Sequence, residues 1–266
     1  MSLKARLRKA AFNRHILLGK LETRPNLTNF IDRFRANYKP CNLVRIGSGA
    51  DGGYLLPDAL DGLAYCFSPG VADSADFENE LSKRGIRSFM ADASVSKAPI
   101  DNDLFHFIPK FLGARSYNEY ITLSDWIEQS IGDDNSPKVL QMDIEGAEYD
   151  VLGYESAETL AGFSILTIEF HDLNKLFEKD FLRLVSIIFE KLFKNFAICH
   201  VHPNNCCGLT ELDGIAVPRV MEVTFVRHDI LPKVLRQDPV QLPHPLDVKN
   251  VPHLPEILMP EIWWKE

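Results

Sequence analysis

The stretch "QMDIEGAEYDVL" sets Asp143, Glu145, Glu148 and Asp150 directly behind an apolar run. Carboxylates this close repel one another, so the segment needs a use or a compensating partner. Alternation puts Asp143 and Glu145 on one face of a strand end. Glu148 and Asp150 fall in the first turn of the next helix, where the macrodipole favours negative charge by ~0.3–1 kcal/mol each. The first pair is then free to face a cationic or hydroxylic ligand. Further on, "IEFH" sets Glu169 and His171 on one strand face, and "CHVHPNN" does the same for His200 and His202, ahead of Asn204 and Asn205. Histidine is the side chain best poised to take a proton near neutral pH. His171 is favoured narrowly over His202, because Glu169 on its own strand face would raise its basicity.

Two earlier segments offer binding groups. "FSPGVADS" ends an apolar run with Ser68 and Gly70, a glycine that would let backbone approach a ligand; Ser74 would cap the following helix. Asp92, followed by Ala93, ends the next run about 20 residues later, where an acidic side chain can accept hydrogen bonds from a nucleoside ribose. "RIGSGADGGY" reads as a hairpin turn. It would either cap the ligand pocket, with Arg45 available for a carboxylate and Asp51, Gly52 and Gly53 in the turn, or pack as an ordinary hairpin on the sheet edge.

These residues need a scaffold that brings strand ends together. Residues 1–38 read as helical with a breaker at Pro25, and 42–58 as a β-hairpin. From residue 63 strands and helices alternate: strands over 63–70, 86–94, 104–111, 137–146, 163–171, 196–203 and 220–228, and helices over 74–85, 122–130 and 180–195. Alternation implies a mostly parallel sheet covered on both faces. The last two strands, joined without a helix, imply an antiparallel pair at one edge, with an antiparallel edge strand. Ligands in such sheets bind beyond the carboxyl ends of the strands, where the residues named above fall. The expected fold is α/β, a Rossmann-like seven-stranded sheet. Its expected division is residues 1–60 as helical segment and hairpin cap, 61–230 as catalytic domain, and 231–266 as a proline-rich arm ending in Trp263 and Trp264.

"TLSDWI", "KVLQMDIEGAEYDVL" and "ILTIEFH" together resemble the FkbM-type methyltransferase domain, with its D-x-E-G-A-E strand end. "DGGYLLPD", "FSPGVADSADFENELSKRG" and "HVHPNNCCGL…VPRVMEVTFVRHD" extend the resemblance over roughly residues 42–229. The glycine-poor first loop departs from the wider methyltransferase G-x-G pattern. The resemblance implies methyl transfer from S-adenosylmethionine to an oxygen, often of a sugar-containing acceptor. On this reading Ser68, Gly70, Asp92, Ala93, Asp143, Glu145, Arg45, Asp51, Gly52 and Gly53 serve the cofactor, and His171, His202, Glu169 and Asp143 the chemistry.

The rival enzyme, a nicotinamide-dependent oxidoreductase or epimerase, would want a GxGxxG loop and a Tyr-x-x-x-Lys pair, and neither is found. A silent ligand-binding domain is the other alternative; polar residues at positions 92, 143, 169 and 202 argue against it. Asp143, Glu169, His171 and His202 have the donor types for Mg²⁺ or Zn²⁺. A divalent ion is the lesser expectation, and no residue is assigned to a metal.

The chain has 266 residues, 45% hydrophobic and 25% charged, with a formal net charge of −8. That balance argues against a nucleic-acid partner and leaves a small-molecule or glycan acceptor. The basic run around Arg6, Arg8 and Lys9 reads as a solvated helical face. Five cysteines, two of them adjacent, do not make a disulfide framework. With no leader-like segment and no apolar stretch of ~18–20 residues to span a membrane, the expected compartment is the cytoplasm.

Overall fold

The computed structural model describes residues 6, 9, 13, 14, 20–238 and 241–265. Most of the basic run lies outside them. The first element is helix α1 (Arg24–Ala36). Pro25 sits in its first turn, where a missing N–H costs nothing, so it starts the helix and does not break it. Leu27, Phe30, Ile31 and Phe34 make a buried stripe at helical spacing.

Strands β1 (Leu43–Gly47) and β2 (Gly53–Pro57) form the expected hairpin. Then come β3 (Tyr65–Pro69), α2 (Asp76–Ser82), β4 (Arg87–Ala91) and β5 (Phe105–Ile108). Two short strands, β6 (Phe111–Leu112) and β7 (Tyr120–Ile121), precede α3 (Leu123–Ile131), which Thr122 caps by accepting the Asp125 N–H. Next are β8 (Lys138–Met142), α4 (Glu148–Tyr154), α5 (Ala157–Ala161), β9 (Ile165–Phe170) and α6 (Lys179–Phe193). The chain ends with β10 (Phe196–Pro203), the hairpin β11 (Leu209–Leu212) and β12 (Ile215–Pro218), β13 (Met221–Arg227) and the short α7 (Leu231–Val234).

The main sheet is mixed and seven-stranded, in the order β10-β13-β9-β8-β3-β4-β5. The pairs among β9, β8, β3, β4 and β5 are parallel, and β13 is antiparallel to both its neighbours. The expected antiparallel pair is at one edge, but its antiparallel member is not the outermost strand. β13 inserts between β9 and β10, and β10 forms the edge. Both strands are buried, β10 at all eight positions and β13 at its first six, so burial does not choose between them.

The two faces of the sheet differ in chemistry. On one, Phe67, Leu140, Met142, Leu166, Ile168, Phe170 and Phe225 pack with α1, α3 and α6 in a single apolar cluster. The other is apolar near its amino ends (Cys66, Val139, Ile165), where α2 and the β1–β2 hairpin cover it. Towards the carboxyl ends this second face turns polar and stays buried: Ser68, Gln141, Thr167, Glu169, Glu222, Thr224, His200 and His202. Cross-strand pairing aligns Glu169 with Glu222 and Glu222 with His202. The Thr224 hydroxyl donates to the Leu55 carbonyl at 2.8 Å, so the hairpin lies over this face and not at the sheet edge.

The C-terminal residues return to the core. Trp263 is fully buried, its ring edge-on to Phe34 at 5.2 Å and its Nε1 donating to the Ala216 carbonyl at 3.0 Å. Truncating such a ring leaves a large cavity and an unpaired carbonyl. Trp263→Ala should therefore lower unfolding free energy by about 3–5 kcal/mol, read as a lower urea midpoint. An unchanged midpoint would show that the terminal segment adds nothing to the fold.

Candidate active site at the carboxyl ends of the strands

Strands β3, β4, β8 and β9 run parallel, so their following loops meet at one rim. A cavity of about 610 Å³ opens there, lined by the hairpin turn (Asp51, Gly52, Tyr54), the loop after β3 (Gly70–Ser74), Asp92 and the loop after β8 (Asp143–Glu145). Phe111, Leu112 and Tyr120 of β6 and β7 form one wall. Sequence reasoning missed that wall by running one strand through residues 104–111. Pro109 and Lys110 mark the interruption.

The loops are held in unusual backbone conformations. Gly70 has φ +89°, and a Cβ on it would lie 1.7 Å from the Asp143 carbonyl oxygen. Its value is thus a close approach between two protein loops, where approach to a ligand was expected. Ala72, Glu145 and Asp172 have φ of +42°, +55° and +57°, one in each loop after β3, β8 and β9. Left-handed non-glycine residues cost ~1–3 kcal/mol each and gather at functional sites.

Asp92 is 5% exposed, and both its oxygens accept backbone N–H groups, from Ala72 and from Ser94, each at 2.8 Å. A carboxylate has about four lone-pair sites, so Asp92 ties two loops together and keeps capacity toward the cavity. Ala93 lies between the cavity-lining Asp92 and Ser94. Arg45 turns back on its own hairpin, donating to the carbonyls of Ser48 (2.9 Å) and Ala50 (3.0 Å). A Cβ on Gly53 would collide with the Ser48 carbonyl at 2.2 Å, which places Gly53 under the turn.

Ser68 is sealed in the cavity floor, where its hydroxyl meets both Glu78 and the Gln141 carbonyl. One hydroxyl proton serves only one acceptor. Burial pushes the Glu78 carboxyl up to about 7, and a proton on Glu78 completes the chain Glu78–Ser68–Gln141–Tyr54, whose last link is a 3.2 Å donation from the Gln141 amide. Glu78 went unnoticed in the sequence because an acid in a first helical turn already has a local explanation.

β8 stops at Met142, four residues short of expectation. Asp143 and Glu145 are therefore brought together by a loop and not by strand alternation. The organiser is Glu148, fully buried, whose Oε1 accepts from the N–H groups of Ile144 (3.2 Å) and Gly146 (3.1 Å) and lies 3.1 Å from His171 Nδ1. Glu148 thus does more than complement a helix dipole. The other ring nitrogen of His171 faces Glu145 (3.5 Å), Asp143 (3.7 Å) and Glu169 (3.8 Å). Burial pulls the His171 pKa down, but the Glu148 hydrogen bond and the surrounding carboxylates outweigh it, and the net shift is upward. Burial pushes Asp143 up to about 7, opposed by His171 and helped by Glu145. Burial, Asp143 and Glu222 raise Glu169 well above the carboxylate range, although Asn204 donates to its Oε1 at 2.9 Å.

His202 is 3% exposed, with Nδ1 3.5 Å from Glu222 and Nε2 3.1 Å from Glu256. Burial would lower its pKa, but the Glu222 and Glu256 carboxylates carry it up to about 9. His200 pairs with Asp247 at 2.8 Å, and Asn250 donates to Glu222 (2.7 Å) and Asp51 (3.1 Å). The segment 247–256 therefore covers the polar ends of β10 and β13. Glu222, Asn250 and Glu256 were invisible as site residues because their partners are remote in sequence. Cys206 and Cys207 form a vicinal disulfide, which closes no loop, while Cys41, Cys66 and Cys199 are free and buried. No described helix is long and apolar enough to cross a membrane.

Residues 21–195 match the family model of the methyltransferase FkbM domain. No curated protein matches the chain. The match spans the cavity and the His171 cluster and stops before β10 and β13.

Gly70→Ala would set a methyl against the Asp143 carbonyl and force a left-handed alanine. It should cost about 2–4 kcal/mol, measured by denaturant unfolding; a loss under ~0.5 kcal/mol would mean the two loops separate freely. The raised His202 pKa gives a second expectation. Stability from this group is complete below the unfolded histidine value of ~6.5 and fades as pH climbs through the folded value. The Tm difference between wild type and His202→Gln should therefore shrink between pH 7 and 10. A constant difference would deny that the charged imidazole holds the terminal segment.

Proposed function

The chain belongs to the methyltransferase FkbM domain family, and on that premise we propose that it is an S-adenosylmethionine-dependent O-methyltransferase acting on a sugar-containing or other small hydroxylic acceptor. The observation that carries this reading is the cavity itself. It is within the ~300–1,000 Å³ of small-molecule sites, sits beyond parallel strand ends, and has Asp92 on one side and Asp143 on the other. The residues fit the donor: Asp92 has lone pairs left for ribose hydroxyls, and Asp143 and Asp51 bring negative charge to a cationic ligand. Adenosylmethionine supplies a methyl group already activated on a sulfonium.

The protein's own task is to hold the acceptor in line and to see its proton removed. Asp143 lines the cavity with one side and meets His171 with the other. We therefore place the acceptor hydroxyl beside His171 and Glu169. Of the two candidate histidines, His171 is the one near a cavity-lining residue; both nitrogens of His202 face carboxylates under the terminal segment.

Calorimetry with adenosylmethionine and with a nicotinamide dinucleotide tests the donor. Wild type should bind the first, and Asp92→Ala at least tenfold more weakly, as loss of a hydrogen bond to a charged group (~1.5–3 kcal/mol) requires. Binding of the dinucleotide alone would reject the proposal. For the acceptor side, His171→Ala should lower turnover by ~10²–10⁴ while donor affinity stays within about threefold. Near-native turnover would remove His171 from the chemistry.

A further inference from the structure

We infer that Asp143, Glu145 and His171 form a divalent-cation site beside Glu169, with positions open for the acceptor's oxygens. With the ion on Nε2 and Nδ1 held by Glu148, His171 then acts on the acceptor through the ion and does not itself take the proton. The site stands on its own geometry; only its use by the acceptor rests on the methyl-transfer reading. One ligand atom each from Asp143, Glu145 and His171 lies within 4.8 Å of the others. An independent observation comes from Glu169. It is 3% exposed, its Oε1 is 3.8 Å from His171 Nε2, and its Oε2 is buried without any hydrogen-bond partner. The Asp143 Oδ1, 3.7 Å from the same nitrogen, is likewise buried and unpartnered. Buried polar atoms are normally satisfied; here Asp143 Oδ1 faces His171 Nε2 without a hydrogen-bond partner, and the neighbouring Glu169 keeps its second oxygen unpaired, which suits a cation beside the imidazole.

The spacings support the same conclusion. Distances of 3.5, 3.7 and 3.8 Å from Nε2 to Glu145, Asp143 and Glu169 are long for hydrogen bonds. Ligand atoms ~2.1 Å from a shared ion at tetrahedral angles would stand ~3.4 Å apart. Glu145, with its side chain 87% exposed, is free to close the remaining gap. His171 is prepared as a ligand: Nδ1 meets the buried Glu148 carboxylate at 3.1 Å, the partner that metal-bound imidazoles commonly have, and this aims Nε2 at the site. Among the described residues no Lys or Arg is ion-paired with Asp143, Glu145, Glu148 or Glu169, whose one basic neighbour is His171. A donor set of carboxylate oxygens and one imidazole suits Mg²⁺, Mn²⁺ or Zn²⁺.

Mn²⁺ is the probe for the test, titrated into EDTA-stripped full-length protein and followed by electron paramagnetic resonance of the free ion. One saturable site per chain is expected. His171→Ala should abolish it, and Glu145→Asn should weaken it at least tenfold; asparagine tolerates the left-handed conformation at 145 and the position is exposed, so this variant keeps its fold. No saturable uptake of Mn²⁺, with Mg²⁺ and Zn²⁺ also failing in calorimetry, would overturn the inference, as would uptake unchanged in both variants. Adenosylmethionine affinity measured on the same stripped protein separates the two readings. Cation uptake without donor binding sinks the methyl-transfer proposal alone, and donor binding without cation uptake sinks the ion site alone.

Discussion

The structure depends on burying a polar layer. From Ser68 on β3 to His202 on β10, the carboxyl half of one sheet face carries hydroxyl, amide, carboxyl and imidazole groups, all removed from water. An unpaired group there costs several kcal/mol, and a charge more. The elements above the face are arranged to meet that demand. The β1–β2 hairpin brings the Leu55 carbonyl to Thr224 and the Tyr54 hydroxyl to Gln141. The segment 247–256 brings Asp247 to His200, Asn250 to Glu222 and Glu256 to His202. The opposite face needs only apolar helices, and α1, α3 and α6 supply them.

Glu148 shows how one side chain sets the geometry of the rim. By accepting from Ile144 and Gly146 it curls the D-x-E-G segment into a tight loop, with Glu145 at φ +55° and Gly146 at +104°. The same oxygen reaches His171 from the next strand. The sequence pattern is thus a local folding instruction as much as a set of ligands. The glycine meets the backbone requirement, and the last glutamate closes the loop from below. Asp143 and Glu145 are left facing the imidazole.

Much of this was legible from residue order. β3, β9 and β10 stand out because they are buried almost throughout and their polar residues gather on one face, leaving the rest of each run apolar, and residue order sets the bounds of β10 to the residue. β8 was overrun because Asp143 and Glu145 alternate with apolar neighbours as a strand would. The slot taken by β13 was unreadable, since pairing partners are not encoded locally. The β11–β12 hairpin was missed although its signal was present: Asp213-Gly214 flanked by alternating residues, both at positive φ of +52° and +74°. At the candidate site, Asp92, Asp143, Glu169 and His171 can be named from their places at strand ends. Glu78, Glu222, Asn250 and Glu256 cannot, because each is defined by a contact across many residues of chain. The family match ends at 195, so the groups around His202 belong to the part of the sheet that the family pattern does not describe.

Asp143 joins the two halves of the site. Its carbonyl rests against Gly70 so closely that no other side chain could stand there, and its carboxylate faces the cavity and His171 together. Donor and acceptor in a methyl transfer must be aligned to a fraction of an ångström, and a displacement of ~1 Å can cost 10²-fold in rate. On the proposed reading, a single residue wedged between the loops after β3 and β8 supplies that alignment, because neither subsite can move without it. The left-handed residues on either side, Ala72 and Glu145, keep the wedge in place at a cost borne by the buried layer beneath.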